Sequence, residues 1–422
     1  LVKSMLVKGK KPKSEPLISV GLILPIDKQN SITISNDIEQ KTYIIEAEND
    51  HLLVNGNKTK SIELMGYADD PSYTLDPVPA GRGFHWEKNI SIQVIGSLKI
   101  SNSDGSLFII NQLKLESYLM CVATSEMSGN CPQALLEAQT IAARSWLVAA
   151  AEQKHLDLGL DACNDDCCQR YQGVGNLSTQ ARSATNNTRG KFLIFNDMVC
   201  DTRYSKSCGG VSEHNENVWD MEPKPYLRGV FDSEQKGLPD LSDPIHFKEW
   251  LKNDHGCYCS EHYVNNEQLK KYLGSVDEKG NYFRWEFTYY QNELLKMVNE
   301  KTGQSFENIS SIDPIQRGVS GRIIKLKISG QSKGEDHHIV LESEYEIRRV
   351  LHPEFLYSSA FTINANSGIN RTLDKVTLSG AGWGHGVGLC QIGALGMALS
   401  GISSDDILSH YFLSSTLEKL YD

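Results

Sequence analysis

No apolar run in this sequence approaches the roughly 20 residues that a membrane-spanning helix needs, which argues against a transmembrane segment. Positive charge is in deficit too: 42 Lys and Arg against 53 Asp and Glu leave a formal net charge of −11. A general nucleic-acid binder draws its affinity from clustered cations that release counterions, so this balance excludes that class. Phosphate-cradling signatures are missing. There is no Walker A loop, and the GAGWGHGVG run at 380–388 contains no glycine triplet with G-x-G-x-x-G spacing. Nor does a G-x-S-x-G elbow surround Ser205, which leaves a serine nucleophile there without support. The opening LVKSMLVKGKKPKSEP is basic, contains proline and has too short an apolar stretch for a signal peptide. Residues 1–15 are therefore expected to be a disordered leader or a remnant of processing.

What is present is ordinary in bulk and uneven in detail. Hydrophobic residues make up 40% of the 422 positions and charged residues 23%, so the chain can bury a substantial core in two or three compact units. Of its ten cysteines, three crowd into DACNDDCCQRYQG at 161–173. Adjacent Cys167 and Cys168 cannot easily bridge each other, because a disulfide wants α-carbons farther apart than neighbouring residues allow. Metal binding is the better reading of that cluster.

Residues 16–110 read as strands: ISVGLIL, SITIS, TYIIEA, ISIQVIGSLKIS and SLFIINQ alternate with Asn, Asp and Gly turn signals. Helices follow at 114–127 and 132–155, the second apolar around most of its circumference and so expected in the middle of the fold. Strand returns over 190–220, with a Gly-Gly turn at 209–210. From 241 to 350, helical stretches such as NEQLKKYLG and QNELLKMVNEKTG alternate with strands such as GRIIKLKISG, which suggests an inserted α+β subdomain. Residues 351–422 are strand, glycine-rich loop and helix. On this reading 111–240 and 351–422 together make the catalytic core, and the fold class is α+β: a mixed multilayer core of β-strands with a few buried helices and an inserted subdomain.

Three stretches could carry chemistry. In the helix LESYLMCVATSE, with Leu115 at zero and roughly 100° per residue, Leu119 falls near 40°, Val122 near −20° and Glu126 near 20°. A carboxylate thus interrupts an apolar stripe. If it faced a poorly hydrated cleft it would favour its protonated form, the state a general acid needs; at a helix end it could equally reach solvent. In GWGHGVGLCQIGA, residues 382–394, alternating glycines allow close backbone approach to a ligand, Trp383 could stack on a sugar face, and His385 and Gln391 offer directed hydrogen bonds. The alternative is a tight connection with a structural histidine. In YSKSCGGVSE, residues 204–213, small hydroxyl residues before a Gly-Gly turn line a polar pocket or cap a turn. Arg144, inside the helix expected to be buried, needs a partner: Glu126, a substrate group, or a structural carboxylate.

The series LESYLMCVATSEMSG, QALLEAQTIAARSW, CCQRYQG, YSKSCGGVSE, PYLRGV, RGVSGRIIKLKISG and GAGWGHGVGLCQIGALGMA, in that order from roughly residue 16 to the end, resembles the SpoIID/LytB family of bacterial peptidoglycan-active proteins. The resemblance implies a lytic transglycosylase that cleaves the β-1,4 bond between N-acetylmuramic acid and N-acetylglucosamine to 1,6-anhydro ends, in sporulation members preferring glycan already stripped of its stem peptides. The family's catalytic glutamate sits in a SEMP-like motif, here SEMS, and lands on Glu126. Arg144, Tyr204, Ser205, Lys206, Ser207, Gly209, Trp383, His385 and Gln391 fall in family motifs and would contact the glycan strand. Some members hold zinc just before the QxY motif. Residue by residue, that site falls on His155, Cys163, Cys167 and Cys168, a Cys₃His set that suits structural zinc, with Cys167 in place of a histidine.

Disulfides with Cys200 or Cys208 in an exported protein are the competing account of these thiols; Cys121, Cys131, Cys257, Cys259 and Cys390 carry no assignment. The rival function is a wall-binding module that enhances an N-acetylmuramoyl-L-alanine amidase without cutting. A zinc amidase would need an open metal position, which four protein ligands deny. Peptidoglycan strands are the implied partner, with a cell-wall amidase as a second, and the implied location is the bacterial envelope.

Overall fold

The computed structural model describes residues 6–36, 38–67, 70, 72–83, 87–273, 281–368 and 372–422. The chain is α+β, and it divides into two compact units. Leu1–Thr202, Lys271–Glu278 and Ser415–Asp422 form the first; Arg203–Lys270 and Lys279–Ser414 form the second.

The first unit is built on two sheets. One runs in the order Asn57–Thr59, His51–Val54, Lys41–Glu48, Ser31–Asn36, Tyr73–Ala80, Lys88–Val94. In Ser31–Asn36 the alternation of exposed Ser31 and Thr33 with buried Ile32 and Ile34 gives this sheet one dry face. The other runs Ala162–Cys163, Leu17–Ile23, Ser106–Lys114, Ser97–Ser103, Ser61–Leu64. The stretch ISIQVIGSLKIS, one strand by its sequence pattern, is divided between the two sheets. The break is at Gly96, whose φ is +82° and where an added Cβ would lie 2.3 Å from the carbonyl oxygen of Gln112.

Helix α1, Leu115–Glu126, follows the strand Ser106–Lys114 directly. Helix α2 spans Gln133–Ala149, with Pro132 at its N-cap, and every residue from Ala138 to Ala149 is buried. That is the central helix its apolar circumference implies, but it stops six residues short of His155. Ala150 turns into extended backbone, and the Asp201 carboxylate accepts the Ala151 N–H at 3.0 Å. Helix propensity alone would carry AAAEQKH onward; a long-range hydrogen bond ends the helix instead. Helix α3, Thr179–Asn187, is capped by Ser178, whose hydroxyl accepts the Ala181 N–H.

Of the 1–15 stretch expected to be disordered, residues 1–5 lie outside the described residues, and within 6–15 several residues bond to distant parts of the first unit. Gly9 donates to the Val148 carbonyl at 2.9 Å and accepts from the Val199 N–H at 2.9 Å. Lys11 pairs with Asp197 and Glu418, and Glu15 with Arg189. Nothing in their basic composition marks these partners, which lie far away in the sequence.

The second unit holds two three-stranded antiparallel sheets, Arg284–Tyr290, Leu373–Ala381, Phe361–Ser367 and Asn308–Arg317, Ile323–Ser332, Glu335–Leu341. A core of Leu294, Val298, Ile309, Ile328, Ile347 and Phe361, among others, joins them to the helices Gln291–Thr302 and Glu344–Val350. The strand expected through 190–220 survives only as Lys191–Phe195, Met198–Val199 and Tyr204–Ser205. Past that point the positive φ angles of Gly209 and Gly210 break it, and loop hydrogen bonds such as Ser212 N–H to the Val230 carbonyl at 3.0 Å replace a ladder. No described helix is long and apolar enough to cross a membrane.

Candidate functional site

Glu126 is the last residue of α1 and is partly exposed, whereas Leu115–Tyr118, Leu119 and Cys121–Ser125 are buried. Four consecutive residues of the QRYQ segment dock against this helix. Gln169 accepts a hydrogen bond from the Tyr118 hydroxyl at 3.1 Å and donates to the Ala143 carbonyl at 3.0 Å. The Arg170 N–H donates to Glu126 Oε1 at 3.1 Å. Tyr171 stacks on Tyr118 at 5.3 Å and donates its hydroxyl to Asn111 at 2.8 Å. The Gln172 N–H reaches the Ser125 hydroxyl at 3.3 Å. The carboxylate is thus aimed by a main-chain donor on a neighbouring loop, and that loop is itself fixed at every residue. The Arg170 guanidinium is clamped by Asp166 at 2.8 and 3.0 Å.

Immediately before QRYQ, His155, Cys163, Cys167 and Cys168 place their ligand atoms within 4.8 Å of one another. Cys163 Sγ lies 3.2 Å from Cys167 Sγ, and Cys167 Sγ lies 3.6 Å from His155 Nε2. A tetrahedral zinc with sulfur at about 2.3 Å spaces its sulfurs about 3.8 Å apart, so a few tenths of an ångström separate these atoms from a coordination shell. Hydrogen bonds with Cys163 and Cys168 hold the Cys167 thiol far below its ordinary value, and those with Cys167 and Cys168 push Cys163 up. The group rests on an apolar bed of Leu24 and Leu160. Asp165, between the ligands, takes the Gly81 N–H at 2.5 Å and an ion pair from Arg82, which also holds Asp27 at 2.5 Å. Donor set and spacing fit one four-coordinate metal ion.

Arg144 does not face a groove. It is 0% exposed, and its guanidinium forks onto Glu116, Nε to Oε1 at 3.0 Å and Nη2 to Oε2 at 2.6 Å, with a further bond from Nη1 to the Lys191 carbonyl at 3.1 Å. Of the roles left open by the sequence, the structural ion pair is the one the geometry has, and the assignment to substrate is corrected. Its partner Glu116 was not singled out, although it is ten residues before Glu126 on the same helix.

In the second unit the remaining sequence candidates converge through two chain pairings. Tyr204 and Ser205 pair in parallel with Leu389 and Cys390, and Ser207 exchanges main-chain bonds with Trp383 at 3.0 and 2.8 Å. The alternating glycines serve the chain's own approach here. A Cβ at Gly388 would lie 2.1 Å from the Arg203 carbonyl oxygen, and one at Gly382 2.7 Å from that of Ser207. Trp383 is partly exposed and stacks on Tyr282 at 4.6 Å. His385 accepts the Val387 N–H at 3.0 Å and meets Trp219 edge-on at 4.8 Å. Burial, then the nearby Arg203, Arg348 and Arg322, hold its imidazole well below the usual histidine range, so it is neutral. Tyr204 and Lys206 are partly exposed; Ser205, Ser207, Gly209 and Gln391 are buried. Neither the Ser205 nor the Ser207 hydroxyl has a hydrogen-bond partner among the described residues.

A second group escaped the sequence reading. Cys208, Asp232, Cys259 and Cys390, all buried, also bring their ligand atoms within 4.8 Å of one another. They are scattered over 182 positions, and no spacing rule joins them. The only hint was the neighbouring GCYC at 256–259.

Comparison with known proteins agrees with this division of the chain. Residues 103–195, which carry α1, α2 and the metal loop, match the family model described as stage II sporulation protein. Residues 213–388 match a domain of unknown function, DUF8618. The chain is 26% identical over 321 residues to an uncharacterized protein of Brachyspira hyodysenteriae, covering 76% of this chain and 71% of that one. It is 24% identical over 308 residues to the amidase enhancer of Bacillus subtilis, covering 70% of this chain but only 39% of the enhancer. It is 23% identical over 326 residues to the stage II sporulation protein D of Bacillus subtilis, covering 74% of this chain and 76% of that one. The segment bearing Glu126 thus matches the stage II sporulation protein model, and the chain is similar to two kinds of named SpoIID/LytB protein along most of its length.

Proposed function

We propose that the chain is a lytic transglycosylase that cleaves the bond between N-acetylmuramic acid and N-acetylglucosamine in peptidoglycan glycan strands, with Glu126 as general acid and base. The observation that carries this reading is a partly exposed carboxylate at the end of a buried helix, aimed by the Arg170 N–H at 3.1 Å. A group held this way meets a scissile oxygen in one orientation, which is where proton transfer gains its rate. Glu126 would protonate the departing sugar oxygen as the C1–O4 bond breaks. The C6 hydroxyl of the muramic acid would attack C1 and give its proton to the carboxylate, leaving a 1,6-anhydro ring and consuming no water. One acid suffices, whereas an ordinary hydrolase flanks the bond with two.

His155, Cys163, Cys167 and Cys168 would hold zinc, whose contribution is to fasten the loop that presents Arg170. Cleavage itself is left to the carboxylate. Trp383, Tyr204 and Lys206 are the groove candidates that a sugar could touch directly. Ser205, Ser207, Gly209 and Gln391 would shape the surface from beneath it. The substrate places the protein in the bacterial cell envelope.

A second reading, a non-catalytic enhancer of an amidase, is favoured by the name of the Bacillus subtilis relative. Incubation with peptide-stripped glycan and a search for anhydromuramyl products by mass spectrometry separates the two. Anhydro ends support the transglycosylase; glycan binding without product supports the enhancer.

A further inference from the structure

We propose that Cys208, Cys259 and Cys390, with Asp232, form a second metal site that holds one structural zinc ion inside the second unit. The four side chains are buried, at 2%, 3%, 0% and 0% exposure in that order, and their ligand atoms all lie within 4.8 Å of one another. Cys208 Sγ and Cys259 Sγ are 3.8 Å apart. That is about the edge of a tetrahedron with zinc–sulfur bonds of about 2.3 Å, and far too long for a disulfide at about 2.05 Å. The space suits one ion and is too small for a multi-iron cluster.

The surroundings are those of ligands with partial negative charge. Cys390 Sγ accepts the Cys208 N–H at 3.2 Å and the Gly393 N–H at 3.3 Å, and Cys208 Sγ accepts the Gly210 N–H at 3.4 Å. Asp232 is oriented by the Tyr411 hydroxyl at 2.5 Å on one oxygen and the Cys259 N–H at 3.0 Å on the other. Outer donors of this kind orient ligands and tune a bound metal. The carboxylate has no basic partner among the described residues. Arg284, beside the same thiols, gives its donors to the carbonyls of Gly209, Phe283 and Asn253 at 2.9 Å each. A fully buried carboxylate next to three thiols and without a cation is costly, and a divalent ion removes that cost. Cys257 is excluded from the group, its thiol directed to the Gly210 carbonyl at 3.9 Å.

The site would tie the Asp232 and Cys259 loops to the two segments that pair at Ser205 and Cys390. Cys208 opens the Gly-Gly turn, Cys259 lies in the GCYC loop, and Cys390 ends the glycine-rich loop as the N-cap of the helix Gln391–Leu399. Its role is therefore to fasten the segments that carry Trp383, His385 and Tyr204. All four protein ligands fill the tetrahedron, so the ion is structural.

The test is metal analysis of the purified full chain, which does not depend on any glycan activity. Zinc that Cys259→Ser removes, and that Cys163→Ser and Cys257→Ser leave in place, supports the proposal. So does release of about two zinc ions per wild-type chain by a mercurial, a measurement that needs no folded variant. Zinc that Cys163→Ser abolishes entirely, a chain without zinc, or a Cys208–Cys259 disulfide in a non-reduced digest overturns it.

Discussion

Replacing Glu116 separates a structural role for Arg144 from a role on substrate, and the structure sets the size of the effect. Glu116 accepts from Arg144 at 3.0 and 2.6 Å, from the Gly190 N–H at 3.2 Å and from the Tyr421 hydroxyl at 2.7 Å. Glu116→Leu removes all four acceptor contacts and strands a guanidinium at 0% exposure. Breaking a buried pair from one side costs about 3–5 kcal/mol, most of it the uncompensated charge. For a unit of this size that lowers the melting temperature by roughly 6–20 °C. The double variant Arg144→Met, Glu116→Leu removes the stranded charge and should recover much of the loss, because an apolar pair of similar volume is often close to neutral. Calorimetry on wild type, both single variants and the double variant gives the coupling energy. A Glu116→Leu cost below about 1 kcal/mol would refute the buried pair, as would a double variant no more stable than the single.

Three further outcomes follow. Glu126→Gln keeps the shape and an oxygen for the Arg170 N–H, so folding should be unchanged while anhydro-product formation falls by about 10²-fold or more; activity within a factor of a few of wild type sinks the assignment. Chelation of the first metal, or Cys163→Ser, should loosen the loop that aims Glu126, seen as faster hydrogen exchange at the Arg170 amide; unchanged protection would argue that the metal does not hold it. His385 and His214 are both held below the ordinary 6.5, each chiefly by burial and then by arginines, with Arg228 the one beside His214. The unfolded chain then binds protons that the folded one refuses, so stability is full above about pH 6.5 and falls as pH drops below it, by at most about 1.4 kcal/mol per pH unit for each histidine. A melting temperature flat from neutral pH to about pH 5 would contradict that.

Much of the fold was legible because its signals are local. Strands such as Leu17–Ile23 and Ser31–Asn36, and helices such as Gln291–Thr302 and Gln391–Leu399, stand where period and turn residues place them. The misses share a cause. Gly96 splits an apolar run between two sheets, and Asp201 ends α2 early, each through a contact with a residue far away in sequence. Glu126 could be singled out because it interrupts an apolar stripe, and His155 to Cys168 because four candidate ligands, one histidine and three cysteines, fall within 14 residues. Arg144 was recognised as buried, but Glu116 as its partner was not, since the pairing depends on how α1 and α2 cross.

By itself the sequence determined the α+β class, the family resemblance, a carboxylate that interrupts the apolar stripe of α1 and a cluster of residues that could hold a metal, because period, turn chemistry and short spacing are written within a few turns of chain. Only the tertiary structure decided that Arg144 belongs to Glu116, that the alternating glycines make room for the 203–207 backbone, and that Cys208, Asp232, Cys259 and Cys390 meet. Those outcomes rest on burial and long-range contact, in which the partner of a charge or a thiol is chosen by packing and is not recorded in the residues beside it.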